Sequence, residues 1–309
     1  MINNKELEEL KAFASESTFS TEESLKNYTT FQVGGKADAF LSVTDEEELK
    51  KVLPYLRKKQ IPYFVLGNGS NVLISDRGYA GVILSMGKNF SKIWRKGNRL
   101  IAEAGALLSS VASLAQKNSL TGMEFASGIP GSIGGAVVMN AGAYEGEMKQ
   151  IVESVTVITA TGEQREYSGE EMCFSYRHSR LIEEDSVVVR VSLSLQPGDQ
   201  EAIIEKTKIL AGKRREKQPL QYPSAGSTFQ RPEGYFAGKL IMDAGLAGFS
   251  IGAAEVSSKH CGFIINKGNA TAKDIYSLIC YVQKVVKEKY SVDLKPEVIF
   301  LGEMEKIGE

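Results

Sequence analysis

Apolar residues recur at helical spacing in several stretches of the chain. Leu49, Val52, Leu53 and Leu56 share one face of a helix that runs to about Gln60, and Thr44 with Glu47 predicts a capping box at its start. Leu107, Val111, Leu114 and Ala115 mark a second helix. Ile203, Ile204, Thr207, Leu210 and Ala211 mark a third, which ends in Lys213, Arg214, Arg215 and Lys217. Basic side chains suit a helix C-terminus, so this cluster reads as a solvated face. Residues 235–244 predict a further helix. From Thr271 onward, Ile275, Leu278, Ile279, Val282, Val285 and Val286 form one stripe, which belongs in a core.

Between the helices lie short β-rich runs, at residues 63–66, 72–75, 82–85, 151–160, 187–195, 261–266 and 296–301. Glycine turns break them: Gly67-Asn68-Gly69-Ser70-Asn71, Asp76-Arg77-Gly78, Thr161-Gly162 and Pro197-Gly198. This mixed order predicts an α+β fold. Strand, glycine loop and strand is not the order of the common dinucleotide fold, and no G-x-G-x-x-G follows a strand. Residues 219–223, bounded by two prolines, are the best candidate for a domain boundary.

The densest glycine segment is GMEFASGIPGSIGGAVVMNAGAYEGE, from Gly122 to Glu147. Glycines let the backbone approach a ligand closely, and successive N–H groups in such turns form concavities that hold anions. Ala136, Val137, Val138 and Met139 can anchor the loop in a core. Read alone, the segment is either a phosphate cradle or a turn-rich crossover between packed elements.

Composition narrows the choice. The chain has 309 residues, enough for two or three domains. Its 37 basic and 38 acidic residues leave a net charge of −1, which argues against nucleic acid or an anionic membrane surface as partner. The N-terminal stretch lacks the apolar core of a signal peptide, and no apolar run is long enough to span a bilayer, so a cytoplasmic protein is expected. Cys173, Cys261 and Cys280 have no metal-ligand spacing and read as reduced, mostly buried thiols. With only His178 and His260 besides, no metal site is expected. A serine hydrolase would have to use one of these two histidines, which argues against that chemistry.

Two glycine loops beside β structure suggest a pyrophosphate gripped from two sides. Six motifs occur in order over nearly the whole chain. They are Asn27-Tyr28-Thr29-Thr30-Phe31 with Gly34-Gly35, then Leu66 to Asn71, GIPGSIGGAVVMNAGAYEGE, Tyr176-Arg177, Ala225-Gly226-Ser227-Thr228-Phe229, and Pro296-Glu297-Val298. In these the chain resembles the UDP-N-acetylenolpyruvoylglucosamine reductase family. The segment between Tyr176-Arg177 and residues 187–195 is short, so the resemblance is to the variety without a tyrosine lid insertion.

The resemblance implies a two-lobed FAD-binding domain of the vanillyl-alcohol-oxidase type over residues 1–215, its lobes split near 86–98. A smaller α+β substrate domain would follow over 216–309, with the last strand a candidate to return to the first lobe. FAD would be held non-covalently, since neither loop carries histidine or cysteine. Its expected contacts are Gly67, Asn68, Gly69, Ser70 and Asn71 with Ile129, Pro130, Gly131, Ser132, Gly134, Gly135, Ala136, Asn140 and Gly142. NADPH would reduce the flavin, which in turn would reduce the enolpyruvyl ether of UDP-N-acetylglucosamine to UDP-N-acetylmuramate for peptidoglycan synthesis. Ser227 would supply the proton, and Arg177 and Glu297 would stabilise the enolic intermediate. Glu297 would need a raised pKa or a cationic partner. Lys217 and Arg231 would bind the UDP pyrophosphate, and a monomer is expected. Two other classes stay open on the residues: a different flavoprotein of the same superfamily, and a non-catalytic nucleotide-binding protein.

Overall fold

Asp45, not Thr44, caps the helix Glu46–Lys59: its carboxylate accepts the Glu48 N–H at 2.9 Å. Glu48 reaches back to the Thr44 N–H at 2.9 Å, one residue before the cap, so the reciprocal box predicted for Thr44 and Glu47 does not form. An ionised carboxylate is a strong acceptor for an orphan N–H and suits the positive end of the helix. The computed structural model describes residues 2–14, 19–144, 146–305 and 307, so Glu145 of the glycine-rich stretch lies outside the described residues. The chain divides into two compact units.

The first unit comprises Met1–Thr21, Ala39–Asn68 and Gly81–Arg214. Its centre is a five-stranded antiparallel sheet in the order Gln164–Ser168, Val152–Thr159, Ser186–Ser194, Arg99–Glu103 and Ile93–Lys96. Val155 faces Val191, and Val191 faces Ala102, so one side of the sheet is apolar across three strands. The helices Glu46–Lys59 and Leu108–Lys117 bury Leu49, Leu53, Val111 and Ala115 in the same core. The short strand Tyr63–Leu66 runs parallel to its neighbour, with Tyr63 opposite Val82 and Leu66 opposite Ser85. The helix Gln200–Lys217 fully buries only Ile203 and ends the unit.

The second unit comprises Glu22–Asp38, Gly69–Ala80 and Arg215–Glu309. The helix Ala272–Tyr290, capped by Thr271, lays Ile275, Leu278, Ile279, Val282 and Val286 into its core as the stripe predicts. A three-stranded sheet, Ser250–Ile251, Ala254–Val256 and Ile264–Asn266, covers that face. The two early segments are part of this core: Phe31, Val33 and Leu73 are buried in it. The last strand, Ile299–Leu301, pairs parallel with Val72–Ile74.

Two further expectations are corrected. Cys173 is exposed, not buried, in a left-handed turn (φ 49°), while Cys261 is buried and Cys280 half-buried. Of the basic cluster, Lys213, Arg215 and Lys217 are solvated but Arg214 is half-buried. Among the described residues, no helix is long and apolar enough to cross a membrane.

Candidate functional site

Ser132 is the pivot of the central glycine segment. Its hydroxyl caps the short helix Ile133–Val138, accepting the Gly135 N–H at 3.4 Å. The segment is sewn to the preceding strand end by Ile133 N–H to Ala106 O at 2.8 Å, Gly134 N–H to Ala104 O at 2.9 Å and Leu108 N–H to Gly131 O at 2.9 Å. A Cβ on Gly134 would sit 2.8 Å from the Ala104 Cβ, so glycine is required for that approach.

The other glycine loop meets this one at the same point. A Cβ on Gly67 would fall 2.3 Å from the Ser132 Oγ, and Asn68 Nδ2 donates to the Pro130 carbonyl at 3.4 Å. Most N–H groups of the central loop are already spent: Gly131 donates to Ile129 O and Ala136 to Ser132 O, besides those above. Among the described residues, the N–H groups of Gly67, Asn68 and Ser132 donate to no acceptor in the chain. Three unspent donors where two loops touch make a place for an anion. The central loop thus supplies shape more than donors.

Arg177 stands at the tip of a tight turn in the first unit. Ser175 and His178 exchange backbone hydrogen bonds at 3.1 and 3.2 Å, and Arg177 takes φ 55° between them. Its guanidinium lies 5.2 Å from the centre of the exposed Tyr176 ring. Asn140 is buried and ties this turn to the glycine segment. Its Nδ2 donates to Ser175 O at 3.0 Å and to Glu147 Oε2 at 3.1 Å, and its Oδ1 accepts the Lys149 N–H at 2.9 Å. Gly142 packs under Gly146, whose carbonyl would be 2.7 Å from an added Cβ.

Within the second unit, the loop that carries Ser227 is joined through its backbone to the segment that carries Glu297. Phe229 bridges Pro296, and the Glu297 N–H donates to Thr228 O at 2.8 Å. Thr228 is fully buried and fixes the loop: its N–H reaches Gly262 O at 2.8 Å and its Oγ1 accepts the Ile264 N–H at 3.1 Å. Asn71 Nδ2 donates to Glu297 O at 3.0 Å, so the tail of the first glycine loop joins the same cluster. The N–H groups of Gly69, Ser70 and Asn71 donate to no acceptor among the described residues. Lys217 ends its helix exposed to solvent, and Arg231 stacks on Phe236 at 4.1 Å.

Two residues not singled out from sequence flank the central loop. The Arg214 side chain lies against Gly128, where a Cβ would be 2.9 Å from its guanidinium, and burial pushes its pKa below the usual arginine value. Glu124 is buried two residues after the Gly122 turn. Arg214 is hidden in a run of basic residues, and Glu124 stands alone between Met123 and Phe125 in a turn-rich stretch, so neither gives a periodic signal.

Comparison with known proteins bears on both units. The model of the UDP-N-acetylenolpyruvoylglucosamine reductase C-terminal domain matches residues 218–301, and that of an FAD binding domain matches residues 37–168. The chain is 54% identical over 279 residues to UDP-N-acetylenolpyruvoylglucosamine reductase of Clostridium novyi, covering 90% of this chain and 91% of that one. It is 50% identical over 297 residues to the protein of the same name from Caldanaerobacter subterraneus, covering 96% and 98%. A solved reductase structure from Thermus caldophilus is similar at TM-score 0.78 and 36% identity, covering 92% of this chain and 98% of that one. Phl p 4.0202, a glucose dehydrogenase, shares the fold alone, at TM-score 0.52 and 14% identity over 64% of this chain and 45% of its own. The fold is accordingly α+β, a two-lobed FAD-binding domain of the vanillyl-alcohol-oxidase type with a smaller α+β domain.

Proposed function

Because the chain belongs to the family of UDP-N-acetylenolpyruvoylglucosamine reductases, we propose that it reduces the enolpyruvyl ether of UDP-N-acetylglucosamine to UDP-N-acetylmuramate, drawing on NADPH through a non-covalent FAD. It would do so as a cytoplasmic monomer, in peptidoglycan precursor synthesis. The observation that carries the FAD assignment is the touching pair of glycine loops, with Gly67 against Ser132 and unspent N–H donors beside them. A pyrophosphate fits that chemistry, because it offers several anionic acceptors to fixed amides.

Bound FAD would supply the hydride carrier between NADPH and the enolpyruvyl ether. Gly67, Asn68 and Ser132 would hold its pyrophosphate, and Gly134 and Gly135 would let the loop lie close to it. Arg177 would answer the charge that grows on the substrate carboxylate, where a guanidinium fork gives paired, charge-assisted hydrogen bonds. The Ser227 hydroxyl would deliver the proton to the carbon bearing that carboxylate. A hydroxyl is a weak acid, but placement makes it adequate toward so basic a carbon. A carboxylate helps beside such charge only when protonated or paired with a cation, and Glu297 is assigned one of those states. Lys217 and Arg231 would bind the pyrophosphate of the UDP group.

Anaerobic titration tests this reading. NADPH should bleach the yellow protein, and the enolpyruvyl sugar nucleotide should restore its colour. Bleaching without recovery would point instead to a different flavoprotein activity, and a colourless protein indifferent to FAD would end the flavin assignment.

A further inference from the structure

We propose that Glu124 is a positioning residue for the central glycine loop, a charged latch that holds Ser132 where it meets Gly67. The proposal rests on the reading above, that this loop holds the FAD pyrophosphate. Glu124 is only 4% exposed, shares a recess with the buried Leu120 and Met123, and is followed in the chain by the buried Phe125 and Ala126. An ionised carboxylate in such surroundings is unfavourable unless several donors answer it, and an apolar side chain of like size would pack there more cheaply. Its partners are specific. The Thr121 hydroxyl donates to it at 2.6 Å, the Gly122 N–H at 3.1 Å, and the Lys206 ammonium pairs with it at 3.5 Å.

These contacts fix both ends of the turn that launches the loop. Gly122 takes φ 121°, a conformation that leaves its N–H directed at the carboxylate. On the other side, the Glu124 carbonyl accepts the Ser127 hydroxyl at 2.8 Å. The Ala126 carbonyl accepts the Ile129 N–H at 3.0 Å, and the Ile129 carbonyl accepts that of Gly131 at 3.0 Å. A series of short hydrogen-bonded turns, joined through the backbone, therefore leads from Glu124 to the residue before Ser132. Lys206 belongs to the helix Gln200–Lys217, whose Arg214 lies on Gly128, so the same helix braces the loop twice. Beside Glu124 is a recess of about 130 Å³, lined also by Ser113, Gln116, Ser127 and Thr207. That room gives the turn somewhere to relax if the carboxylate's grip is lost. A shift of ~1 Å at a preorganised site is enough to cost much of its binding function.

The full-length protein, stripped of flavin, should be titrated with FAD at 25 °C, following flavin fluorescence and the visible spectrum, with melting of the apoprotein recorded alongside. E124Q is expected to weaken FAD binding by about tenfold or more and to alter the bound-flavin band. T121V, which removes one donor, should weaken it by roughly threefold. E48Q, at a buried glutamate on another helix of the same unit, should bind FAD as the wild type does. E124Q binding within about twofold of wild type would overturn the latch, as would an E48Q that weakens FAD equally. Should E124Q fail to fold, T121V decides: wild-type affinity overturns the proposal and weakened affinity supports it. A wild-type chain that takes up no FAD overturns the functional reading itself, which separates the two failures.

Discussion

Glu48 and Glu124 are both buried carboxylates of the first unit, yet their surroundings drive them in opposite directions. Burial raises the Glu48 pKa above its ordinary 4.5, and nearby Asp45 adds to this, against the opposing hydrogen bonds from Thr44. Burial also pushes Glu124 upward, but the Thr121 hydroxyl, the backbone N–H groups and Lys206 outweigh it and hold it below 4.5. The two signs have different consequences for stability. For Glu48 the folded state holds its proton more tightly, so stability falls as pH rises from the unfolded to the folded value. Glu48→Gln keeps an acceptor for the Thr44 N–H without the charge. It should raise the melting temperature at neutral pH, with the gain vanishing once the pH is below the usual glutamate range. A neutral-pH loss would show that the charge is favourable at this helix end. For Glu124 the contribution is present above the unfolded value and is lost as pH falls through the folded one. At the reacting end, Ser227→Ala should leave flavin reduction by NADPH within about twofold and slow substrate-driven reoxidation by ~10²–10⁴. Stopped-flow measurement of the two half-reactions checks this; equal loss in both would make Ser227 a shaper of the pocket and not the proton donor.

At the scale of elements, the long helix Ala272–Tyr290 has two caps. Thr271 supplies the local one, bonding the Asp274 N–H at 3.0 Å. Asp76, distant in sequence, accepts the N–H groups of Ala272 and Lys273 at 2.8 Å each. Asp76→Ala should therefore destabilise the fold by about 2 kcal/mol, read from urea unfolding. An unchanged midpoint would mean that Thr271 suffices. The start of this helix at Thr271 and its apolar stripe were legible in the sequence, because the stripe repeats at helical spacing. Asp76 was not, because it reads only as a turn residue between two strands. The strands Ile93–Lys96, Arg99–Glu103 and Gln164–Ser168 escaped notice for a related reason: one face of each is solvated and carries charge. The site divides the same way. The glycine loops were visible as composition, whereas the meeting of Gly67 with Ser132 depends on long-range folding that no periodicity encodes. Arg214 looked like one more basic residue at a helix end.

At the scale of the molecule, the sequence shows a single candidate break near residues 219–223, while the second unit is assembled from three separated stretches. Val72 pairs with Ile299, and Asn266 donates to the Phe31 carbonyl at 3.0 Å. Such distant partners make a slow, non-local folding step. As the chain leaves the ribosome, Phe31, Val33 and Leu73 emerge long before the helix and last strand that shelter them. The nascent protein therefore carries these apolar residues without their final partners until residues 272–301 have been made. Its dependence on chaperones should be greatest in that interval, and premature termination anywhere before the last strand leaves a sticky, incomplete remnant and not a smaller working piece.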